Sequence, residues 1–116
     1  MNTQTATNKV TLIGNLGMNP EVKELTGGNK LAKFSVATTE THTNKAGERV
    51  KNTQWHNIIV WGKLVDFVSE SLGKGTHVSI EGKLINRNYT DKSGNKRYIT
   101  EIQASGIELV KHENQQ

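Results

Sequence analysis

The sequence predicts an all-β fold, a five-stranded Greek-key barrel with one short helix between the third and fourth strands. Five segments rich in Val, Ile and Thr alternate apolar with polar residues and are separated by turn residues. A single segment has apolar residues at helical spacing. The length of 116 residues is that of one domain.

Two strands are predicted in the first part of the chain. The first spans Lys9–Leu16, and Gly14 within it indicates a bulge or a bend at a barrel corner. A short extended segment, Glu21–Leu25, leads to a turn at Gly27-Gly28-Asn29. The second strand spans Leu31–Thr39. Its alternation gives an apolar and a polar face, with Ala32, Phe34 and Val36 against Lys33 and Ser35.

The middle of the chain is predicted to hold a loop, a strand and the helix. Thr41–Asn52 is polar and indicates a flexible loop, and Thr53–Trp61 follows as the third strand because β-branched and aromatic residues are dense there. The helix spans Lys63–Leu72, and Gly73 is the residue after its end. Its apolar stripe consists of Leu64, Val65, Phe67, Val68 and Leu72.

The fourth and fifth strands are predicted on either side of a turn at Asp91–Asn95. The fourth spans Thr76–Tyr89, and the fifth spans Lys96–Val110 with a break near Ser105-Gly106. In the fourth strand the expected inward residues are Val78, Ile80, Gly82 and Leu84, and the expected outward ones are Ser79, Glu81, Lys83, Arg87 and Tyr89.

This order of elements is that of an OB-fold, a partly open barrel whose exposed face binds oligonucleotides or oligosaccharides. An SH3-like barrel would not have a helix between the third and fourth strands. The predicted domain covers residues 8–110, between a disordered leader at 1–7 and a short polar tail at 111–116. The fold leaves the choice of ligand open, so the surface residues must decide it.

The alternation of the third strand predicts where its tryptophans point. Ile58 and Val60 suit the barrel interior, which turns Trp55 and Trp61 outward together with Ile59. Two exposed indoles suit the stacking of unpaired bases. The alternative is that the tryptophans fill the core, where strand tryptophans are more often found. Ile59 and Ile85 are expected to face outward without a partner in one subunit, and therefore to be covered by another subunit.

Positive charge is concentrated in one segment. The chain carries a net charge of +4, from 15 Lys and Arg against 11 Asp and Glu. Between Lys83 and Arg97 the only acid is Asp91, and the cations are Lys83, Arg87, Lys92, Lys96 and Arg97. Tyr89 adds an aromatic ring to this strand, so the segment indicates a polyanionic partner, with a merely solvated hairpin as the alternative.

Residue types exclude several kinds of chemistry. With no cysteine, thiolate metal sites, disulfides and a cysteine nucleophile are ruled out. His42, His56, His77 and His112 do not form a pair at metal-ligand spacing, and neither aspartate lies beside a His or Ser that it could orient. His56 is expected to have a hydrogen-bonded structural role. We therefore predict no enzyme, no metal and no cofactor, and, lacking a long apolar stretch or a secretion signal, a soluble intracellular chain.

Eight runs of residues form a pattern along the chain: Asn8–Leu16, Pro20-Glu21, Phe34–Thr38, Trp55-His56, Gly62–Leu64, Lys74-Gly75, Glu81–Leu84 and Thr100–Ile102. In their order and spacing they resemble the bacterial-type single-stranded DNA-binding protein family. The resemblance implies an OB-fold homotetramer that coats single-stranded DNA in replication, recombination and repair. It also implies a cytoplasmic protein, of the bacterial nucleoid or encoded by a phage or plasmid.

The resemblance also implies roles for particular residues. Trp55, Trp61 and Tyr89 match the family's base-stacking aromatics, whereas His42 replaces a further one and is expected to stack weakly. Lys45, Lys63, Lys74 and Arg87 match phosphate-contacting cations. The candidate nucleic-acid-binding residues are thus Trp55, Trp61, Tyr89, Lys33, Lys45, Lys63, Lys74, Lys83, Arg87 and Arg97.

The end of the sequence departs from the family pattern. Members usually continue into a linker with an acidic tip that recruits partner enzymes, whereas this chain ends at HENQQ. Recruitment of such partners is therefore expected to be poor, whether the tip is naturally absent or was removed. Two other functions remain open: an oligosaccharide-binding OB module, and a replication accessory OB-fold protein with weak DNA affinity.

Overall fold

Residues 6–110 are described by the computed structural model, and within them lie six strands and one α-helix. In chain order these are β1 (Val10–Leu16), β2 (Glu21–Glu24), a 3-10 turn (Thr26–Gly28), β3 (Lys30–Thr43), β4 (Arg49–Trp61), α1 (Lys63–Ser71), β5 (His77–Thr90) and β6 (Lys96–Leu109). The predicted leader and tail lie outside the described residues, apart from residues 6 and 7.

Closure of one sheet on itself produces the barrel. The strands are ordered β1-β5-β6-β4-β3-β2, and β1 also pairs with β3. The contacts are antiparallel except between β4 and β6, which run parallel at Ile58↔Ile102 and Ile59↔Gln103. The short β2 lies beside β3 and is not needed for closure. The predicted five-stranded OB-fold barrel is confirmed, with α1 between β4 and β5, the third and fourth strands of the barrel.

The core consists of the inward residues of the barrel strands and the apolar side of α1. Val36, Val60 and Ile80 are each 0% exposed, and Val65 and Val68 of α1 close one end of the barrel. Burial of such aliphatic side chains contributes about 1.5–3 kcal/mol each. The faces predicted for the second strand are confirmed, since Ala32, Phe34 and Val36 are buried whereas Lys33 and Ser35 are not.

The loop predicted at Thr41–Asn52 is wrong, because β3 and β4 form one long hairpin. Their ladder continues to Thr43↔Arg49, so only residues 44–48 form the turn. The Asn44 side-chain oxygen accepts hydrogen bonds from the backbone N–H groups of Ala46 and Glu48, both at 2.9 Å. Polar residues in this hairpin are paired through their backbones, and hydrophobic periodicity does not report such pairing.

One further expectation about side-chain direction is wrong, and two others are refined. Leu84 was expected inside but is 46% exposed, because the β5–β6 hairpin begins here to extend past the barrel. The predicted break in the last strand is a bulge: Glu81 pairs with Gly106 and Gly82 with Ala104. Ile59 does face outward, but it is only 7% exposed and is covered within the same chain. Its burial therefore gives no argument for a second subunit.

Gly14 provides a test of how the barrel closes. It lies where β1 passes from β5 to β3, and a Cβ there would overlap the carbonyl oxygen of Ala37 and lie 2.9 Å from Val36 Cγ1. We expect Gly14→Ala to destabilise the fold by about 1–3 kcal/mol in urea denaturation, the usual cost of overpacking. Gly106→Ala is the control, since a Cβ there meets no atom within 4 Å. Equal stability of the two variants would contradict this closure.

Candidate functional site

Both tryptophans of β4 lie on the outer face of the barrel. Trp55 is 62% exposed and Trp61 is 43% exposed, whereas the intervening Ile58 and Val60 are buried. The prediction of outward tryptophans is therefore confirmed, and the alternative that they fill the core is wrong. Across the ladder Trp61 lies opposite Leu31 and Trp55 opposite Ala37. Each ring thus stands beside a smaller residue of β3.

The indole ring of Trp55 packs against Gly17. A Cβ on Gly17 would overlap the indole ring and would lie 2.8 Å from its Cη2 atom, so only glycine permits this approach. The same Cβ position is 3.2 Å from Ser35 Oγ, and the Gly17 N–H donates to the Ser35 carbonyl at 3.0 Å. One side of the ring is therefore supported while much of the rest is open to solvent. Gly17 was not among the predicted site residues, because no local signal connects it with β4.

Trp61 separates two grooves. One, of about 450 Å³, lies beside the start of α1 and is lined by Trp61, Gly62, Lys63, Gly28, Asn29, Lys30 and Asp66. The other, of about 290 Å³, crosses the outer sheet face and is lined by Trp61, Leu31, Lys33, Ile59, Ile85, Arg87 and Glu101. The structure thus brings three predicted cations, Lys33, Lys63 and Arg87, next to one exposed indole.

A third groove connects this region with the surroundings of Trp55. It has a volume of about 180 Å³ and includes Met18, Ser35, Asn57 and Ile99. Lys33 and Glu101 line both this groove and the one beside Trp61. Ser35 continues it toward Gly17, under Trp55. We call the surface from Trp61 through Lys33 and Glu101 to Trp55 the outer track.

A buried ion pair lies in the middle of the outer track. Arg87 Nε donates to Glu101 Oε1 at 2.8 Å, and Nη2 donates to Oε2 at 3.0 Å. The Glu101 side chain is 4% exposed, and that of Arg87 is 46% exposed. The hydrogen bond from Arg87 lowers the pKa of Glu101 against the opposing effect of burial, and Lys33 lowers it further. Glu101 was not predicted as a site residue, because its partner is on another strand.

The predicted basic segment is less uniformly cationic than the sequence indicated. Besides Arg87, Arg97 is also paired: its Nε donates to Asp91 Oδ2 at 2.9 Å, and this hydrogen bond lowers the pKa of Asp91. Within residues 6–110, Lys83, Lys92 and Lys96 have no ion pair. Tyr89 is 49% exposed and lies opposite Arg97 on the β5–β6 hairpin.

The remaining predicted cations lie on other elements. Lys45 is exposed in the turn between β3 and β4, and Lys74 is exposed after α1, where its backbone N–H donates to Asn19 Oδ1 at 2.8 Å. Neither has an ion pair among the described residues, and the same holds for Lys33, Lys63 and Lys83. These five lysines are the candidate cations whose charge is not already compensated by an acid.

The histidines show hydrogen bonding without clustering. His56 Nε2 is hydrogen-bonded to Thr38 Oγ1 at 2.9 Å, as expected for a structural role. His42 is exposed, with its Nδ1 3.4 Å from Asn52 Nδ2. In the described part of the chain, no group of three His, Asp or Glu side chains is placed to hold a metal ion. The helix found there is too short and too polar to cross a membrane.

Comparison with known sequences points to one family. The profile of the single-strand binding protein family matches residues 7–110. The chain is similar to single-stranded DNA-binding protein 1 of Xylella fastidiosa, with 43% identity over 104 residues, which are 89% of this chain and 76% of that protein. Single-stranded DNA-binding protein 1 of Chlorobaculum tepidum is 42% identical over 104 residues. The aligned residues are 89% of this chain and 64% of that protein.

Solved structures share the fold. A Plasmodium falciparum SSB in complex with ssDNA has a TM-score of 0.86 and 34% identity, and the match covers 96% of this chain and 100% of that one. A deletion mutant of the single-stranded DNA binding protein from Thermus aquaticus has a TM-score of 0.81 and 24% identity, covering 92% of this chain and 52% of that one. The second supports the OB-fold alone.

The buried ion pair predicts acid sensitivity. Since the pKa of Glu101 is lowered in the folded protein, its contribution to stability is complete above the ordinary value of 4.5 and is lost as the pH falls from there through the lower folded value. Glu101→Gln should therefore reduce the loss of stability between neutral and strongly acidic pH, measured by urea denaturation at several pH values. Glu70→Gln, which removes an exposed acid of α1 that has no ion pair within residues 6–110, is the control for the substitution itself. A Glu101→Gln profile parallel to that of the wild type would contradict the assignment.

Proposed function

The chain belongs to the single-strand binding protein family, and we propose that it binds single-stranded DNA without strong sequence preference and protects it during replication, recombination and repair. The observation that carries the proposal is the outer track: two exposed indoles on one face, with grooves between them that contain apolar side chains, the cations Lys33 and Arg87, and the acids Glu21 and Glu101. The Plasmodium falciparum protein of the same fold was solved in complex with ssDNA.

Binding combines stacking with charge. Unpaired bases stack on Trp55 and Trp61, and Tyr89 offers a further ring on the β5–β6 hairpin. Each stacked base contributes about 1–3 kcal/mol and requires no particular base identity. The phosphates meet the uncompensated lysines of the track and its surroundings, namely Lys33, Lys45, Lys63, Lys74 and Lys83. Arg97 adds a weaker contact because Asp91 already balances its charge.

The site suits unpaired strands better than duplex DNA. Reading a duplex requires an element that enters the major groove, commonly a helix. In residues 6–110 the one α-helix packs its Val65 and Val68 into the barrel core and carries Asp66 and Glu70 on its exposed side. Stacking on exposed indoles of a sheet, by contrast, needs bases that are free of a partner.

Two other functions are less well supported. An oligosaccharide could stack on the same tryptophans, but a neutral sugar would make no use of the lysines around the track, and its binding would be nearly insensitive to salt. A replication accessory protein with weak DNA affinity would be distinguished by direct titration. The relatives are named for DNA binding, so we infer that the protein acts by binding, with no chemical step and no cofactor.

We also propose that the protein assembles as a homotetramer in the cytoplasm of a bacterial cell, on chromosomal, phage or plasmid DNA. Between Val10 and Gly14, β1 pairs only with β5, so its other edge is open within the described residues. Ile13 on this strand is 58% exposed, and Leu109 is 51% exposed. A second copy would cover both. Tetramers in sedimentation at micromolar protein, converted to smaller species by Ile13→Glu, would support this, and a wild-type monomer would refute it.

Loss of a stacking ring should weaken DNA binding. We expect Trp55→Ala to reduce the affinity for labelled oligothymidylate by about 1–3 kcal/mol, measured by fluorescence anisotropy, since one base loses its platform. Tyr98→Ala is the matched control: Tyr98 is 74% exposed but lies next to Arg97 in sequence and therefore on the opposite face of β6 from Arg97 and Tyr89. The proposal would be contradicted if Trp55→Ala and Tyr98→Ala lost affinity equally. It would also be contradicted if duplex DNA competed as strongly as single strands.

The salt dependence of binding reports the phosphate contacts. Log affinity should fall linearly with log salt concentration, with a slope of about −0.7 for each contact on single strands. Lys63→Gln should make the slope shallower by about one contact. Lys9→Gln removes the same charge, but Lys9 Nζ is paired with Glu81 Oε2 at a distance of 2.9 Å. This pair does not lie beside the tryptophans, so the slope should stay unchanged. A flat response in the wild type would favour the sugar-binding alternative.

A further inference from the structure

A buried acid in the middle of the outer track requires a physical account. Among residues 6–110, Glu101 is the one charged residue that is buried. It lines the 290 Å³ groove beside Trp61 and the 180 Å³ groove that continues toward Trp55. A polyanion is repelled by a carboxylate at this place. With 4% of its side chain exposed, Glu101 is also shielded from direct contact with a ligand. Its effect on the site must therefore pass through its partner, Arg87.

The pairing geometry leaves one edge of Arg87 available. A guanidinium has five N–H groups. Glu101 accepts from Nε and from Nη2, at 2.8 and 3.0 Å, which leaves both hydrogens of Nη1 and the second hydrogen of Nη2. The Arg87 side chain is 46% exposed overall. Two of the remaining donors, one on each Nη atom, are parallel and suit a ligand edge with adjacent acceptors.

The available edge lies in a groove that Trp61 shares. Arg87, Ile85 and Trp61 line the same 290 Å³ groove on the outer face. The floor of this groove is apolar apart from Lys33, Arg87 and Glu101. Arg87 is thus placed for a base edge, while Lys33 and Lys63 flank the same indole as free cations.

We propose, building on the proposed function, that Glu101 is a positioning residue that makes Arg87 a reader of base edges at the nucleotide stacked on Trp61, and not a phosphate contact. The pair carries no net charge, so a phosphate gains little there and is repelled by the carboxylate behind the guanidinium. The phosphates instead follow the unpaired lysines. This revises the role expected for Arg87 from family resemblance.

The proposal implies a weak preference for particular bases. Thymine, cytosine and guanine present carbonyl oxygens as acceptors, whereas adenine presents ring nitrogens and an amino group. Adenine therefore satisfies the Arg87 edge less well. The expected signature is a contribution of Arg87 to the ratio of oligothymidylate to oligoadenylate affinity, without a contribution to the salt dependence.

Four proteins separate these effects: the wild type, Glu101→Gln, the double variant Arg87→Gln with Glu101→Gln, and Glu70→Gln. The double variant avoids leaving a buried carboxylate without a partner. Glu70→Gln is the control, because it removes the charge of an exposed carboxylate on α1 that has no ion pair within residues 6–110. Affinities for oligothymidylate and oligoadenylate are measured at several salt concentrations, and thermal melting verifies folding.

Glu101→Gln should steepen the salt slope by about 0.7, because the charge of Arg87 becomes available to phosphates. The Glu70→Gln slope should equal that of the wild type. The double variant should keep the wild-type slope but lower the thymidylate-to-adenylate affinity ratio by about fivefold or more, the size of one hydrogen bond, because thymine offers Arg87 a single carbonyl oxygen on an edge. If Glu101→Gln does not fold, the double variant still decides.

A double variant with a slope about 0.7 shallower than the wild type and an unchanged affinity ratio would overturn the proposal, because Arg87 would then be a phosphate contact. An unchanged slope in folded Glu101→Gln would also overturn it. Absence of single-strand binding by the wild type is a different result, since it would refute the proposed function itself.

Discussion

The alternation of side chains along β4 is the constraint on which both the core and the candidate interface depend. Ile58 and Val60 are 1% and 0% exposed, and their burial obliges Trp55 and Trp61 to point outward. The long ladder with β3 holds this register from Leu31↔Trp61 to Thr43↔Arg49. A slip by one residue would bury both indoles and expose the aliphatic side chains. The burial of these aliphatic side chains, which stabilises the barrel, therefore also exposes the two indoles.

The charge that the outer face offers to a ligand depends on which cations are paired with acids, more than on how many cations there are. The basic segment of β5 and β6 has two of its arginines compensated, Arg87 by the buried Glu101 and Arg97 by Asp91. The uncompensated cations among the predicted site residues are lysines on several different elements, from the β3–β4 turn to the residues after α1. Paired arginines offer directed hydrogen bonds, and unpaired lysines offer a nonspecific field. We infer that Arg87 serves bases and that the unpaired lysines serve phosphates.

The sequence predicted most strands, the helix and the outward tryptophans because these follow from local periodicity. It failed at the Thr41–Asn52 hairpin, where backbone pairing operates in a polar segment, and at Leu84, where the β5–β6 hairpin leaves the barrel. Ile59 was correctly directed outward, but its cover comes from the neighbouring strands. Glu101 and Gly17 were not found as site residues, since each acts on a partner that only barrel closure brings near.

The central claim is that single-stranded DNA follows the outer track with its bases against the protein. A crystal structure of this chain with an oligothymidylate tests it most directly. The account predicts bases stacked on Trp55 and Trp61, a base oxygen within hydrogen-bond distance of the Arg87 Nη atoms, and phosphates beside the unpaired lysines. A strand bound elsewhere on the barrel, or one whose phosphates contact Arg87 while its bases face the solvent, would contradict it.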